Sequence, residues 1–261
     1  MNYLIISPNE FIPALQPLVD WRSQQGLNVK VVDLQEVFDQ FNFGIPHPIG
    51  IKNFIRNTFQ TWEIAPTYVL VVGDGHWDLK NNLTDLKNYL PPNFVWVDPT
   101  QGEIDSLSDL VAVVGNDPLP DALIGRFPVN SVEELNLIIS KTIAFEQSQG
   151  DWLNSLSFVS DNFYLTDGCF DDDPLTTCVV EDDGNFPRLM DDFLGRSYLT
   201  RFNIRKLYLD DYRCTGLNSV GCDQFTNELV NSINQSPSQI YTYSGHGAIN
   251  GWANEKIFNV E

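Results

Sequence analysis

The stretch that decides the fold class reads Tyr68-Val69-Leu70-Val71-Val72-Gly73-Asp74-Gly75. Five apolar residues follow one another without a polar interruption, and the run then meets a glycine-rich turn. Such a run is typical of a strand that is buried on both faces, as in a parallel sheet covered by helices. The sequence around it therefore has to supply helices for both faces of that sheet.

Strand and helix patterns alternate on either side of this strand, which predicts an α/β fold with mainly parallel sheets flanked by helices. Ser131 and Glu134 form a capping box, so a helix is expected to begin there and to fade near Gly150. We expect residues 1–150 to form one α/β subdomain. Pro13 and Pro17 predict a late start or a kink in the helix that Asn9 could cap. The other predicted strands and helices are a strand at 3–7, a strand at 29–32, a helix at 49–62, extended pieces at 94–97 and 110–114, and a strand at 122–128.

A second α/β series occupies residues 151–261 and predicts a second subdomain. Its strands are expected at 156–160, at 204–209 and in the run that ends at His246. Two helices lie between them, and apolar residues recur at helical spacing along each one. The residues expected to face inward are Phe186, Leu189, Met190, Phe193 and Leu194 in one helix, and Phe225, Leu229, Val230 and Ile233 in the other.

The overall charge excludes two classes of partner. Asp and Glu outnumber Lys and Arg by 35 to 15, which gives a formal net charge of −20. Such a surface repels nucleic-acid phosphates and has no basic patch for an anionic membrane. No apolar run approaches the roughly 18 residues of a membrane span. The first residues have neither a basic segment nor a cleavage site, so we expect a strand there, in a cytosolic protein or in one cut from a longer precursor.

The four cysteines lie in two close pairs, Cys169 with Cys178 and Cys214 with Cys222. Neither spacing matches the C-x-x-C of zinc or thioredoxin-type sites. Two short loops bounded by cysteines favour disulfide bonds and an oxidising compartment. Four unrelated thiols in a reducing cell would account for the same residues.

The run Ile240-Tyr241-Thr242-Tyr243-Ser244 leads into Gly245-His246-Gly247. Glycines allow a tight turn and a close approach to a ligand, and histidine is the side chain most readily tuned for proton transfer near neutral pH. Asp161 ends another strand of the same series, and the carboxyl ends of parallel strands meet at one rim of a sheet. A carboxylate there could orient the imidazole of His246. An incidental histidine in a glycine-rich turn, and an Asp that caps a turn, are the structural alternatives.

Other motifs point to no specific chemistry. The loop at Gly73 to Gly75 fails as a dinucleotide fingerprint, because Asp78 stands where the third glycine belongs, and a structural turn explains it better. A nucleotide-binding domain is disfavoured for this reason and by the acidic charge. The chain has no G-x-S-x-G elbow and no paired-histidine metal motif. The acidic insertion at 165–184 could hold calcium, but it does not match an EF-hand loop, and a solvated acidic loop is the better explanation.

Taken together, short segments along the whole chain resemble the gingipain-like cysteine endopeptidases, which share a catalytic fold with caspases. Each segment is weakly specific alone, but their number and order are characteristic. The segments that carry the resemblance are Tyr3-Leu4-Ile5-Ile6, Pro17-Leu18-Val19-Asp20-Trp21, Gly26-Leu27-Asn28-Val29-Lys30-Val31-Val32, Gly44-Ile45-Pro46, the stretch at 68–75, Gly125-Arg126-Phe127-Pro128-Val129, Tyr243-Ser244-Gly245-His246-Gly247 and Trp252-Ala253.

The resemblance implies that His246 is the catalytic base, that Gly247 offers its backbone N–H to the oxyanion, and that Asp161 supports the histidine. It implies a protein or peptide substrate, a secreted or cell-surface location and no cofactor for catalysis. Structural calcium, which some members bind, would give the acidic insertion a use.

The resemblance also implies a catalytic cysteine after the strand that follows His246. All four cysteines precede that histidine in the chain. We therefore expect residues 151–261 to be a partial caspase-like subdomain, whose missing carboxyl-terminal part carries the nucleophile and the specificity pocket. A non-catalytic relative that serves as a scaffold in secretion or surface assembly is the alternative.

Overall fold

The computed structural model describes residues 2–80, 82–99, 102–163, 184–196, 199–212, 222–248, 250–253 and 256–259. The chain divides into two compact units, Met1–Ser148 and Gln149–Glu261. Each contains a parallel sheet flanked by helices, so the predicted fold class is confirmed. Within the described ranges, no helix is both long and apolar enough to cross a membrane.

The first unit is built on a four-stranded parallel sheet. Its strands in spatial order are β2 (Asn28–Asp33), β1 (Asn2–Ser7), β3 (Pro66–Val72) and β6 (Leu123–Phe127). The helices are α1 (Gln16–Gln24), α2 (Leu34–Phe41), α3 (Pro48–Thr61), α4 (Leu107–Leu110) and α5 (Val132–Gln147). A hairpin of β4 (Phe94–Asp98) and β5 (Gly102–Asp105) forms a separate two-stranded sheet.

Both faces of this sheet are buried, which explains the unbroken apolar run in β3. Leu4 and Val69 pack on one side in a core shared with α2 and α3. Ile5 and Leu70 pack on the opposite side with α1 and α5. Because successive side chains of a strand point to opposite faces, two covered faces require an apolar residue at every position.

The structure corrects one local prediction in this unit and confirms part of another. Residues 110–114 were expected to be extended, but α4 ends at Leu110 and irregular chain follows. Ser106 accepts a hydrogen bond from the Asp109 N–H (3.4 Å) and so caps this short helix. The late start expected from Pro13 and Pro17 is confirmed, because Asn9–Leu15 is a 3-10 helix and α1 begins at Gln16. The predicted cap is wrong, since the 3-10 helix follows Pro8 and has no side-chain cap.

The second unit has a three-stranded parallel sheet in the order β8 (Asn203–Tyr208), β7 (Ser155–Ser160) and β9 (Ile240–Ser244). The helices α6 (Phe186–Leu194) and α7 (Asp223–Gln235) flank it. After β9, three two-residue strands form a small antiparallel sheet in the order β10 (Gly247–Ala248), β11 (Gly251–Trp252) and β12 (Phe258–Asn259). His246 lies between β9 and β10.

Part of the predicted helix burial in this unit is wrong. Leu189 and Phe193 are 58% and 41% exposed, and Val230 and Ile233 are also exposed, whereas Met190, Phe225 and Leu229 are buried. A three-stranded sheet offers each helix a narrow surface, and only the central residues of each apolar stripe reach it.

Cys222 is 2% exposed and packs in the apolar core with Phe225 and Leu229 of α7. It is disulfide-bonded. Its predicted pairing stays a prediction, because Cys169, Cys178 and Cys214 lie outside the described residues, as does the acidic insertion except for Gly184.

Candidate active site

Asp161 follows β7 directly and is almost fully buried, with 1% of its surface exposed. Its backbone N–H donates to the carbonyl of Ser244 (3.0 Å), which extends the pairing of β7 with β9 by one step. The carboxylate atom Oδ1 accepts the N–H of Asn162 (2.9 Å), and Oδ2 accepts the N–H of His246 (3.0 Å). A buried carboxylate is costly unless donors compensate it, and these bonds supply that compensation.

The imidazole of His246 is held by the same carboxylate. Its Nδ1 lies 2.9 Å from Oδ2 of Asp161, and 30% of the histidine side chain is exposed, against 1% for the aspartate. An ionised carboxylate can only accept, so Nδ1 carries the hydrogen of this bond. In the neutral ring the lone pair is then on Nε2, which makes that atom the one able to take up a proton.

Gly245 allows this approach because it has no side chain. A Cβ at this position would overlap the Cβ of Asp161 and the hydroxyl of Tyr243. The close packing of these three residues therefore requires glycine here.

Gly247 has a different environment. It opens β10 and pairs with Trp252, and a Cβ at Gly247 would meet no atom within 4 Å. On the other side of the histidine, the carbonyl of His246 accepts the N–H of Ala253 (2.8 Å). The two glycines beside His246 thus differ: Gly245 leaves no room for a side chain, whereas a Cβ at Gly247 would touch no other described atom of the chain.

Among the described residues, the aromatic side chains of Phe186 and Tyr243 contact His246, and Trp252 supports Tyr243. The ring of Phe186 meets the imidazole edge-on, with centroids 5.2 Å apart. Tyr243 donates its hydroxyl hydrogen to the carbonyl of His246 (2.7 Å), and its ring stacks on Trp252 at 4.5 Å. Tyr243 and Trp252 stand in the segments of the resemblance, but the sequence assigned them no role. Phe186 begins α6 after the acidic insertion, and no sequence signal connects it with the histidine.

The other histidines lie in the first unit and have structural contacts. His47 caps α3, where its Nδ1 accepts the N–H of Ile49 (3.2 Å). His76 lies with Nε2 3.0 Å from the carbonyl oxygen of Leu86. In the part of the chain that the structure describes, no group of three or more His, Cys, Asp or Glu residues could hold a metal ion. The predicted calcium site falls on the undescribed insertion and stays a prediction.

The second unit is thus an α/β fold in which a buried carboxylate contacts a partly exposed histidine at the carboxyl rim of a parallel sheet. Open α/β folds place their sites at this rim. Comparison with known proteins gives the family. The model of Peptidase family C25 matches residues 1–261, and the chain belongs to that family, so the predicted gingipain-like relationship is confirmed.

Among curated proteins, gingipain R2 and gingipain R1 of Porphyromonas gingivalis are each 27% identical to the chain over 154 residues, or 58% of it. The match spans 18% of gingipain R2 and 13% of gingipain R1. The crystal structure of the Arg specific cysteine proteinase gingipain R aligns with 99% of the chain and 49% of its own length, at 22% identity and a TM-score of 0.64. The complex of RgpB pro- and mature domains aligns with 98% and 50%, at 20% identity and a TM-score of 0.63. The chain thus spans about half of these solved relatives, which share its fold.

Proposed function

We propose that the chain is the amino-terminal part of a cysteine endopeptidase in which His246 is the general base and Asp161 orients it. The observation that carries the proposal is the 2.9 Å contact between Nδ1 of His246 and the buried carboxylate of Asp161. Such a pair fixes the tautomer and stabilises the imidazolium that forms when the histidine takes up a proton. Membership of Peptidase family C25 supports the same chemistry.

In the intact enzyme, Nε2 of His246 takes the proton of a cysteine thiol. The resulting thiolate attacks the carbonyl carbon of a peptide bond. The backbone N–H of Gly247 would be one donor to the oxyanion of the tetrahedral intermediate. The imidazolium then gives its proton to the leaving amine, and an acyl-enzyme remains. A water molecule, deprotonated by His246, hydrolyses that thioester and restores the thiol.

The proposal assigns the nucleophile to a segment downstream of Glu261. In the described part of the second unit, β9 pairs with β7 on one side, so its other edge could receive a further parallel strand. A cysteine at the carboxyl end of such a strand would emerge at the same rim as Asp161 and His246. That segment is therefore the proposed partner that completes the site. The disulfide of Cys222 supports a secreted or surface location.

The experiment is labelling of the full-length protein with a thiol-reactive peptide probe. Wild type should be labelled once, and His246→Ala should lose the labelling because the thiol is no longer deprotonated. His76→Ala is the matched control, since it removes a histidine of the first unit, and it should be labelled like wild type. Equal labelling of His246→Ala would contradict the role of the base. A wild-type protein that is never labelled would favour the scaffold alternative.

A further inference from the structure

We propose that Tyr243 is a positioning residue, whose hydroxyl holds the backbone at His246 so that the imidazole keeps its contact with Asp161. The consequence for catalysis rests on the proposed function, whereas the positioning itself is a property of the described residues.

The hydroxyl of Tyr243 lies 2.7 Å from the carbonyl oxygen of His246 and 3.4 Å from Oδ2 of Asp161. A phenol has a single hydrogen to donate, and the shorter contact takes it. The hydroxyl therefore fixes the carbonyl of His246 and stands beside the carboxylate atom that holds the imidazole.

Three groups of His246 are thereby fixed at once. The backbone N–H and ring Nδ1 both bind Oδ2 of Asp161, at 3.0 and 2.9 Å. The carbonyl accepts both the Tyr243 hydroxyl and the N–H of Ala253. Because the orientation of a side chain follows from the backbone that carries it, loss of the hydroxyl would free one of these points and let the ring leave the carboxylate more often.

The ring of Tyr243 is itself held in place. It stacks on Trp252 with an angle of 3° between the ring planes, and Trp252 in turn contacts Phe258 at 5.1 Å. Gly245 leaves the space that the hydroxyl occupies, because any Cβ there would overlap it. The ring of Tyr243 is thus fixed by Trp252 of the small antiparallel sheet, and its hydroxyl in turn fixes the backbone of His246.

The variant Tyr243→Phe removes the hydroxyl and keeps the stacked ring. In ¹⁵N NMR spectra of this chain, the wild type should show His246 as the Nδ1–H tautomer. In Tyr243→Phe both neutral tautomers should be populated, and exchange of the Nδ1 proton should accelerate about 2- to 10-fold, the effect of one neutral hydrogen bond. Tyr241→Phe is the control, because Tyr241 lies on the same strand and its hydroxyl is 3.5 Å from the hydroxyl of Ser232.

An unchanged tautomer and unchanged exchange in Tyr243→Phe would overturn the proposal, even if the melting temperature fell. A second measurement needs no variant. The hydroxyl proton of Tyr243 should give an observable, slowly exchanging NMR signal in the wild type, and a hydroxyl in fast exchange with water would equally overturn the proposal.

The full-length protein separates this inference from the proposed function. Tyr243→Phe should lower kcat about 2- to 10-fold with KM unchanged, and Tyr241→Phe should leave both unchanged. A full-length protein that never cleaves peptides would contradict the proposed function, whereas the NMR result would still decide whether Tyr243 positions His246.

Discussion

Asp161 is the residue on which the electrostatics of the candidate site depend. Its carboxylate is buried and accepts hydrogen bonds from the backbone N–H groups of Asn162 and His246 and from Nδ1–H of the imidazole. Both oxygens are therefore occupied by donors. A side chain of the same shape that cannot accept at both positions must leave a donor unsatisfied.

We predict that Asp161→Asn will strongly lower both the catalytic activity of the full-length protein and the stability of the fold. Whichever way the amide is oriented, its NH₂ group faces a donor, either the N–H of Asn162 or the two donors of His246. In the full-length protein kcat should fall on the order of 10² to 10⁴-fold, and the free energy of unfolding by about 1–3 kcal/mol. Asp192→Asn, on the exposed surface of α6, is the control for a lost charge. Peptide cleavage by Asp161→Asn at the wild-type rate would show that the carboxylate has no catalytic role.

The two glycines beside His246 give a second prediction at this scale. Gly245→Ala should lower the free energy of unfolding by about 1–3 kcal/mol and disturb the histidine, because the new methyl group would overlap Asp161 and Tyr243. Gly247→Ala adds the same methyl group in space that no other described atom of this chain occupies, so the free energy of unfolding and the contact of His246 with Asp161 should change little. Denaturant unfolding and the ¹⁵N spectrum of His246 measure both variants. Equal losses in the two variants would be inconsistent with the packing described.

At the scale of helices and strands, the sequence predicted what depends on local signals. The N-cap of α5 is an example, since the N–H of Glu134 donates to the hydroxyl of Ser131 at 3.1 Å. The carboxylate of Glu134 accepts the N–H of Asn130 (2.6 Å), one residue before the position that the predicted capping box requires. The helix α2 was not predicted, because it follows β2 without a loop and its cap, Asp33, is also the last residue of that strand. β5 was missed as well, because its stability comes from pairing with β4, which no local pattern reveals.

Helix α5 also makes a contact that gives a pH-dependent prediction. Glu146 binds the guanidinium of Arg22 in α1 through two bonds of 2.6 and 2.7 Å, and the indole of Trp21 donates to it as well. The hydrogen bond with Arg22 is the largest cause that lowers the pKa of Glu146 from 4.5 to about 2. A lowered folded-state pKa means that the stabilisation is complete above about pH 4.5 and is lost as the pH falls toward 2.

We predict that Glu146→Gln lowers the free energy of unfolding of the first unit by about 1–2 kcal/mol at pH 7, a value reduced by the partial exposure of the pair. The difference from wild type should shrink between pH 4.5 and 2, because the wild-type carboxylate then becomes protonated too. Urea unfolding at several pH values measures it, and Glu63→Gln serves as an exposed control. A difference that stays constant down to pH 2 would argue against the lowered pKa.

For the whole molecule, the alternation of strands and helices was enough to predict the α/β class and the strand ends that carry Asp161 and His246. What it could not predict are contacts made across the fold. Phe186 reaches the imidazole only because α6 packs beside β9, and Tyr243 acts through a backbone group rather than through a recognisable side-chain pair. The predicted burial of α6 and α7 was too high, because the sequence of a helix does not reveal how wide the sheet beneath it is.

The chain spans about half of its solved relatives, and the proposal places the reactive cysteine in a downstream segment. Within the described residues, Cys222 is buried and disulfide-bonded, so it cannot act as a thiolate while that bond persists.

The most direct test is to locate the probe adduct by peptide mapping of the labelled full-length protein. We predict a single modified cysteine beyond residue 261, in a segment that follows a predicted strand, and no modification of Cys169, Cys178, Cys214 or Cys222. An adduct on one of those four cysteines, or a downstream sequence without any cysteine, would contradict the account.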